Sequence, residues 1–169
     1  MAQRKYLYAA MAVQTLIPSE LSIQDLQRTL QFAVGPRPIA LVSSINRLGQ
    51  VNLSPFSYFN IFSTNPPILI FAPSQRLRDG GSKDSLLNVK EVPEVVVHAV
   101  SHAMVEQTSL SSTSYERGVN EFIKSGFTAL PSTHVAPPRV AESPVALECR
   151  VNEVIALGEG PGAGNLVVC

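Results

Sequence analysis

Apolar positions along this chain fall in short β-branched runs, not in long helical stripes. Ile39-Ala40-Leu41-Val42-Ser43-Ser44-Ile45 is followed by Asn46-Arg47-Leu48-Gly49 and then by Val51-Asn52-Leu53-Ser54. This order predicts a β-hairpin whose glycine takes the turn position that tolerates positive φ. Ile68–Ala72, Glu94–Val100, Pro144–Val151 and Asn165–Val168 have the length and β-branched content of further strands. Helical signals are brief. Ser22-Ile23-Gln24-Asp25 has the form of a capping box with Asp in the last position, and Leu26 and Leu30 follow on one face. A helix is therefore expected to run to about Phe32 and to stop at Gly35-Pro36. Shorter helices are expected at Asp84–Lys90, around Val105 and at Asn120–Lys124. Strands that do not alternate with long helices disfavour a doubly wound parallel sheet. The expected fold class is mostly β, an antiparallel β-barrel with short peripheral helices.

The length of 169 residues suits one domain, and the 13 prolines are scattered without forming a linker. A single domain over residues 1–169 is expected. Hydrophobic residues make up 45% of the chain and charged residues 15%, which excludes charge-driven disorder. Lys plus Arg and Asp plus Glu each number 13. The zero balance removes the long-range field that non-specific nucleic-acid or anionic-membrane binding needs, so any anion must be met locally. It also does little to keep copies of the chain apart, and a homo-oligomer is expected. No apolar run approaches the roughly 18 residues of a membrane-spanning helix. Arg4 and Lys5 precede Leu7–Val13 in the manner of a signal peptide, but that stretch is short and interrupted by Tyr8, so a cytoplasmic location is expected. Cys149 and Cys169 lack metal or redox spacing and are expected to be buried thiols. The apolar run ending at Cys169 has no polar cap or turn, which suggests a chain truncated before a further strand.

Three segments carry candidate chemistry. Ser74-Gln75-Arg76-Leu77-Arg78-Asp79-Gly80-Gly81-Ser82-Lys83-Asp84-Ser85 follows a strand and leads into a helix. Arg76, Arg78 and Lys83 supply cationic donors, Ser74, Ser82 and Ser85 hydroxyls, and the helix start free N–H groups, which together make a phosphate site. The alternative is a solvated, capped surface loop. Asn52-Leu53-Ser54-Pro55-Phe56-Ser57-Tyr58-Phe59-Asn60 interleaves three aromatic rings with hydroxyls and amides, a strip suited to a planar heterocycle or, taken alone, to core packing. Arg37-Pro38 and the paired hydroxyls Ser43 and Ser44 form a third, weaker segment. His98 and His102 are four apart, but the first lies in a strand, so the helical metal geometry fails and no metal site is expected. The run Gly158, Gly160, Gly162, Gly164 lies between strands and reads as a hairpin loop, not as a dinucleotide fingerprint. Neither a P-loop nor a GxSxG elbow is present, and no catalytic side chain is assigned.

In order, Gly35-Pro36-Arg37-Pro38-Ile39-Ala40-Leu41-Val42-Ser43-Ser44, Asn52 to Asn60, Asn65-Pro66-Pro67, Lys83-Asp84-Ser85-Leu86-Leu87-Asn88, Pro137-Pro138-Arg139-Val140 and Glu142 to Cys149 resemble the flavin reductase-like family. The resemblance implies an FMN-binding split barrel of Greek-key type, a homodimer, and an NAD(P)H:flavin oxidoreductase. By the same resemblance Ser74, Arg76, Lys83, Asp84 and Ser85 hold the phosphate. Ser43 and Ser44 with Ser57, Tyr58, Phe59 and Asn60 line the isoalloxazine ring and ribityl chain. NADH or NADPH is the implied electron donor; an FMN-binding electron carrier without a nicotinamide site is the competing class, and a barrel that has lost its flavin a third. The flavin would supply the redox chemistry, the protein position and electrostatics.

Overall fold

A computed structural model describes residues 13–169; the basic and apolar start discussed above lies outside the described residues, Val13 excepted. Among the described residues, no helix is long and apolar enough to cross a membrane. Helix α1 (Ile23–Ala33) starts where the capping pattern places it, with the Asp25 N–H donating to Ser22 Oγ at 3.1 Å. Strands β1 (Ala40–Ile45) and β2 (Val51–Phe56) form the expected hairpin, and Gly49 turns it with φ +79°. Then come β3 (Phe59–Thr64), β4 (Pro67–Phe71), α2 (Asp84–Glu91), β5 (Glu94–Ala99), α3 (Val105–Ser111) and α4 (Glu121–Ser125). A two-stranded ribbon of β6 (Ala129–Leu130) and β7 (Arg139–Val140) is followed by β8 (Ala146–Arg150), β9 (Glu153–Ala156) and β10 (Asn165–Val168).

The strands build two open antiparallel sheets, β2-β1-β5-β8 and β3-β4-β10-β9. The chain passes from one to the other at Ser57-Tyr58, between β2 and β3. Between the sheets lie Ala40, Val42, Phe56, Phe71, Val95, Val97 and Val167, with Leu86 and Val89 of α2 closing one end. The alternate residue Leu41 points the other way, into a second cluster with Leu53, Met104, Phe122, Phe127 and Val140. β1 is thus buried on both faces, which is why its apolar run is nearly continuous.

β3 and β9 were not expected as strands. Asn60, Ser63 and Thr64 break the apolar pattern of β3, and its Ile61 and Phe62 face outward, each 63% exposed. β9 has only Val154, Ile155 and Ala156 to signal it. The glycine run joins β9 to β10 as the expected hairpin loop.

His98 sits in β5 with no exposure. Its Nδ1 lies 2.8 Å from the Leu41 carbonyl and its Nε2 accepts the Val140 N–H at 3.0 Å, so the ring is neutral with the proton on Nδ1. It tethers β7 to the sheet with both ring nitrogens. Burial lowers its pKa from 6.5 to about 4. Folding therefore favours the neutral ring. That contribution, roughly 3 kcal/mol, is complete above pH 6.5 and is lost as the pH falls towards 4. Urea unfolding of the parent protein and of His98→Gln should show a stability gap that narrows by about this amount between neutral pH and about pH 4. A gap independent of pH would show that His98 is not held neutral.

Candidate functional site

The segment after β4 folds into a closed loop. The Gly80 N–H donates to the Arg76 carbonyl and the Arg76 N–H to the Gly81 carbonyl, both at 2.8 Å. Asp79 closes the tip, accepting the Gly81 N–H at 2.9 Å and pairing with Arg78 at 3.0 Å. These two side chains satisfy each other at the surface. Arg76 approaches Asp84 at 3.5 Å, at the first turn of α2.

Lys83 precedes that helix and offers its first turn no side-chain cap. Its Nζ stands 5.3 Å from the centroid of Phe56. Burial and then the Arg76 charge push the ammonium below its usual range. Among the described residues no carboxylate pairs with Lys83. A partly buried cation, a second cation beside it and uncapped helix N–H groups make an environment short of one anion.

This environment opens on a cleft of about 460 Å³, whose walls include Gln27, Gln31, Ser57, Tyr58, Ser74 and Arg76. The volume is that of a small-molecule site. Arg37 fixes the corner: its Nε donates to Ser57 Oγ at 3.3 Å, while Nη1 donates to the Gln31 and Val34 carbonyls at the end of α1. The glycine loop supports the floor. The Gln75 N–H donates to the Ala163 carbonyl at 2.8 Å and the Gly162 N–H to the Gln75 carbonyl at 3.2 Å. Gly162 has φ +82°, and a Cβ there would stand 2.9 Å from Ile23 of α1 and 3.3 Å from Leu77.

Five expected residues, Ser57, Tyr58, Ser74, Arg76 and Lys83, thus meet in one cleft. Asp84 and Ser85 lie behind it, beside a side cavity of about 80 Å³ that Arg76 and Lys83 also line. Ser85 is buried, its Oγ 2.8 Å from the Asn52 amide. That amide turns its oxygen to Ser85 and its nitrogen to Glu121 at 3.3 Å. Phe59 and Asn60 border a separate cavity of about 360 Å³ across the corner, shared with Ser57 and Tyr58.

Ser43 and Ser44, the other expected hydroxyls, are not among the cleft residues. Both are fully buried in β1: Ser43 donates to the Pro138 carbonyl at 2.6 Å and Ser44 accepts from Asn88 at 3.2 Å. They hold the scaffold and do not reach the cleft. The aromatic strip is likewise divided. Phe56 belongs to the core, its ring 5.2 Å from that of Phe71, and the chain bends before Phe59.

Gln27, Gln31, Gln75 and Ser114 were not anticipated as cleft residues. Gln27 and Gln31 are one helical turn apart, a spacing that could have exposed a shared polar face. Ser114 gave no signal, because it follows α3 and only folding brings it there. Glu121, also unanticipated, accepts the Leu53 N–H at 3.1 Å, and burial pushes its carboxyl up.

Residues 33–168 match the flavin reductase like domain, and the chain belongs to that family. A protein of Halalkalibacterium halodurans is 38% identical over 143 residues, covering 85% of this chain and 68% of its own length. Nitrilotriacetate monooxygenase component B from Bacillus cereus superposes with a TM-score of 0.86 at 29% identity, covering 93% of this chain and 78% of that one. The 2-nitrobenzoate 2-nitroreductase NbaA of Pseudomonas fluorescens gives 0.80 at 30% identity, over 92% and 72%. A split-barrel-domain protein from Shewanella frigidimarina gives 0.76 at 20% identity, over 89% and 72%, a likeness of fold. The two facing sheets are a split barrel, and the chain is a flavoprotein of the flavin reductase type.

Gly162→Ala should cost about 1–3 kcal/mol, since a side chain there meets both an unfavourable φ and α1. A lower urea midpoint at unchanged m checks this; an unchanged midpoint would mean that α1 does not bear on the glycine loop.

Proposed function

We propose that this protein binds FMN in the 460 Å³ cleft and reduces it with NADH or NADPH. The observation that carries the assignment is Lys83, a partly buried ammonium without a carboxylate partner among the described residues, set at an uncapped helix start. An anion with several acceptor oxygens suits this environment, and the residues present fit a phosphomonoester. Lys83, Arg76, Ser74 and the first N–H groups of α2 hold the phosphate. Ser85 and Asp84 set that helix start from behind, and Asp84 keeps Arg76 turned towards it. Ser57, held by Arg37, and Tyr58 border the ring together with Gln27 and Gln31.

A bound flavin supplies hydride and electron transfer at its isoalloxazine ring. The protein positions it and keeps one face reachable, because a nicotinamide has to approach to about 3–3.5 Å. Phe59 and Asn60 line a neighbouring cavity that shares Ser57 and Tyr58 with the cleft. A homodimer accords with the outward apolar residues Ile61 and Phe62 of β3 and Phe32 of α1.

Lys83→Ala and Arg76→Ala should each weaken FMN by about 1.5–3 kcal/mol in fluorescence titrations while leaving riboflavin, which lacks the phosphate, nearly unaffected. Equal losses for both ligands would remove the phosphate from this loop. Anaerobic stopped-flow mixing of the FMN-loaded protein with NADH or NADPH should bleach the flavin. Reduction by dithionite but by neither nucleotide would make the protein an electron carrier.

A further inference from the structure

A line of three buried side chains runs behind the phosphate loop: Glu121 at the start of α4, Asn52 of β2 and Ser85 in the first turn of α2. Glu121 is anchored by the Leu53 N–H, 3.1 Å from its Oε2. Its other oxygen, Oε1, stands 3.3 Å from one end of the Asn52 amide, and the other end of that amide stands 2.8 Å from Ser85 Oγ. Ser85 and Glu121 also line the side cavity of about 80 Å³ that Arg76 and Lys83 share.

The chemistry of an amide makes this line directional. A carboxylate only accepts, so an ionised Glu121 takes the amide nitrogen, and the amide oxygen is left to take the Ser85 proton. The Ser85 hydroxyl is then spent within the protein. A protonated Glu121 reverses every donor in the line. Its O–H donates to the amide oxygen, the amide nitrogen turns to Ser85 Oγ, and the Ser85 proton is released. Both arrangements use the same two heavy-atom contacts, so the exchange needs only a half-turn of the Asn52 amide. The Leu53 N–H stays on Oε2 in both. The freed proton is available to an acceptor in the side cavity that Ser85 lines, which has room for one.

Burial, above all, and the Asp84 carboxylate push the Glu121 carboxyl up, against the pull of backbone N–H groups that include that of Leu53. Arg76, Lys83 and Tyr115 share the side cavity with it, and Arg117 an adjoining crevice. α3 and β2 are the elements packed most on α4. β2 has no ionisable side chain, and Glu106, the only one of α3, is exposed, as is Lys124 of α4 itself.

We propose that Glu121 is a positioning residue for the ligand phosphate: through the Asn52 amide, its protonation turns the Ser85 hydroxyl proton from the protein to the phosphate. This role rests on the FMN reading above and deepens it. A neutral Glu121 favours the phosphate twice, by freeing a donor and by removing a nearby negative charge. Glutamine at this position reproduces the neutral arrangement, since its amide nitrogen donates to the Asn52 oxygen and its carbonyl accepts the Leu53 N–H.

Fluorescence titrations of FMN and riboflavin between about pH 5 and about pH 8.5 test this on the parent, Glu121→Gln and Lys83→Ala. At about pH 8, Glu121→Gln should bind FMN roughly tenfold more tightly than the parent does, and riboflavin equally well. The ratio for FMN should fall towards one as the pH drops and the parent's carboxyl takes up its proton; the phosphate's own ionisation cancels, being common to both proteins. Ser85→Ala added to Glu121→Gln should abolish the gain. An unchanged or weaker FMN affinity, a riboflavin affinity shifted by the same factor, or a ratio that ignores pH would each overturn the role of Glu121. Lys83→Ala separates this role from the reading beneath it. FMN binding unaffected by that change removes the phosphate from the loop and both fall together, whereas a loss there with an indifferent Glu121→Gln removes only the role of Glu121. If Glu121→Gln does not fold, the flavin-free parent decides: the NMR signals of the Asn52 side-chain amide should shift over the same pH range, and signals that do not move overturn the proposal.

Discussion

An ammonium partly withdrawn from water, with no carboxylate paired to it among the described residues, is the constraint on which the candidate site depends. Lys83 is held over Phe56 at the start of α2, and Arg76 adds a second positive charge. Such a site is unfavourable by itself, because desolvation and like charge both act against it. It persists because the surrounding structure leaves the side chain little choice. α2 packs Leu86 and Val89 into the core between the sheets, and the Ser85 hydroxyl meets Asn52 of β2 behind it. The helix start, and with it Lys83, is therefore fixed by burial elsewhere.

The scaffold supplies this rigidity through a strand buried on two sides. β1 sends Ala40 and Val42 into the space between the sheets and Leu41 into the cluster beneath α3 and α4. Its hydroxyls are used the same way, with Ser43 on Pro138 and Ser44 on Asn88 of α2. The cleft lies where this layer ends. At Ser57-Tyr58 the chain leaves one sheet for the other, and Arg37 secures the bend to the end of α1. The walls of the cleft come from α1, the end of β2 and the loop before α2, parts of the chain that only folding brings together.

Local signals were the ones legible in the sequence. The hairpin with Gly49, the Ser22 cap and the Asp84–Lys90 helix each depend on neighbours within a few residues, and each forms. The cationic loop was legible too, since Arg76, Arg78 and Lys83 lie within one short segment. β3 was not, because its outward Ile61 and Phe62 and its polar neighbours follow no burial pattern within one chain. Where Ser43 and Ser44 point was not legible for a related reason. A hydroxyl on a strand gives no sign of which face it will take, and here both faces are buried.

A crystal structure of the protein with FMN tests the central claim most directly. The account predicts the phosphate oxygens within hydrogen-bonding distance of Lys83 Nζ and of the first-turn N–H groups of α2, with the ring running towards Ser57 and Tyr58. A flavin whose phosphate lies elsewhere, with Lys83 still facing an empty loop, would contradict it.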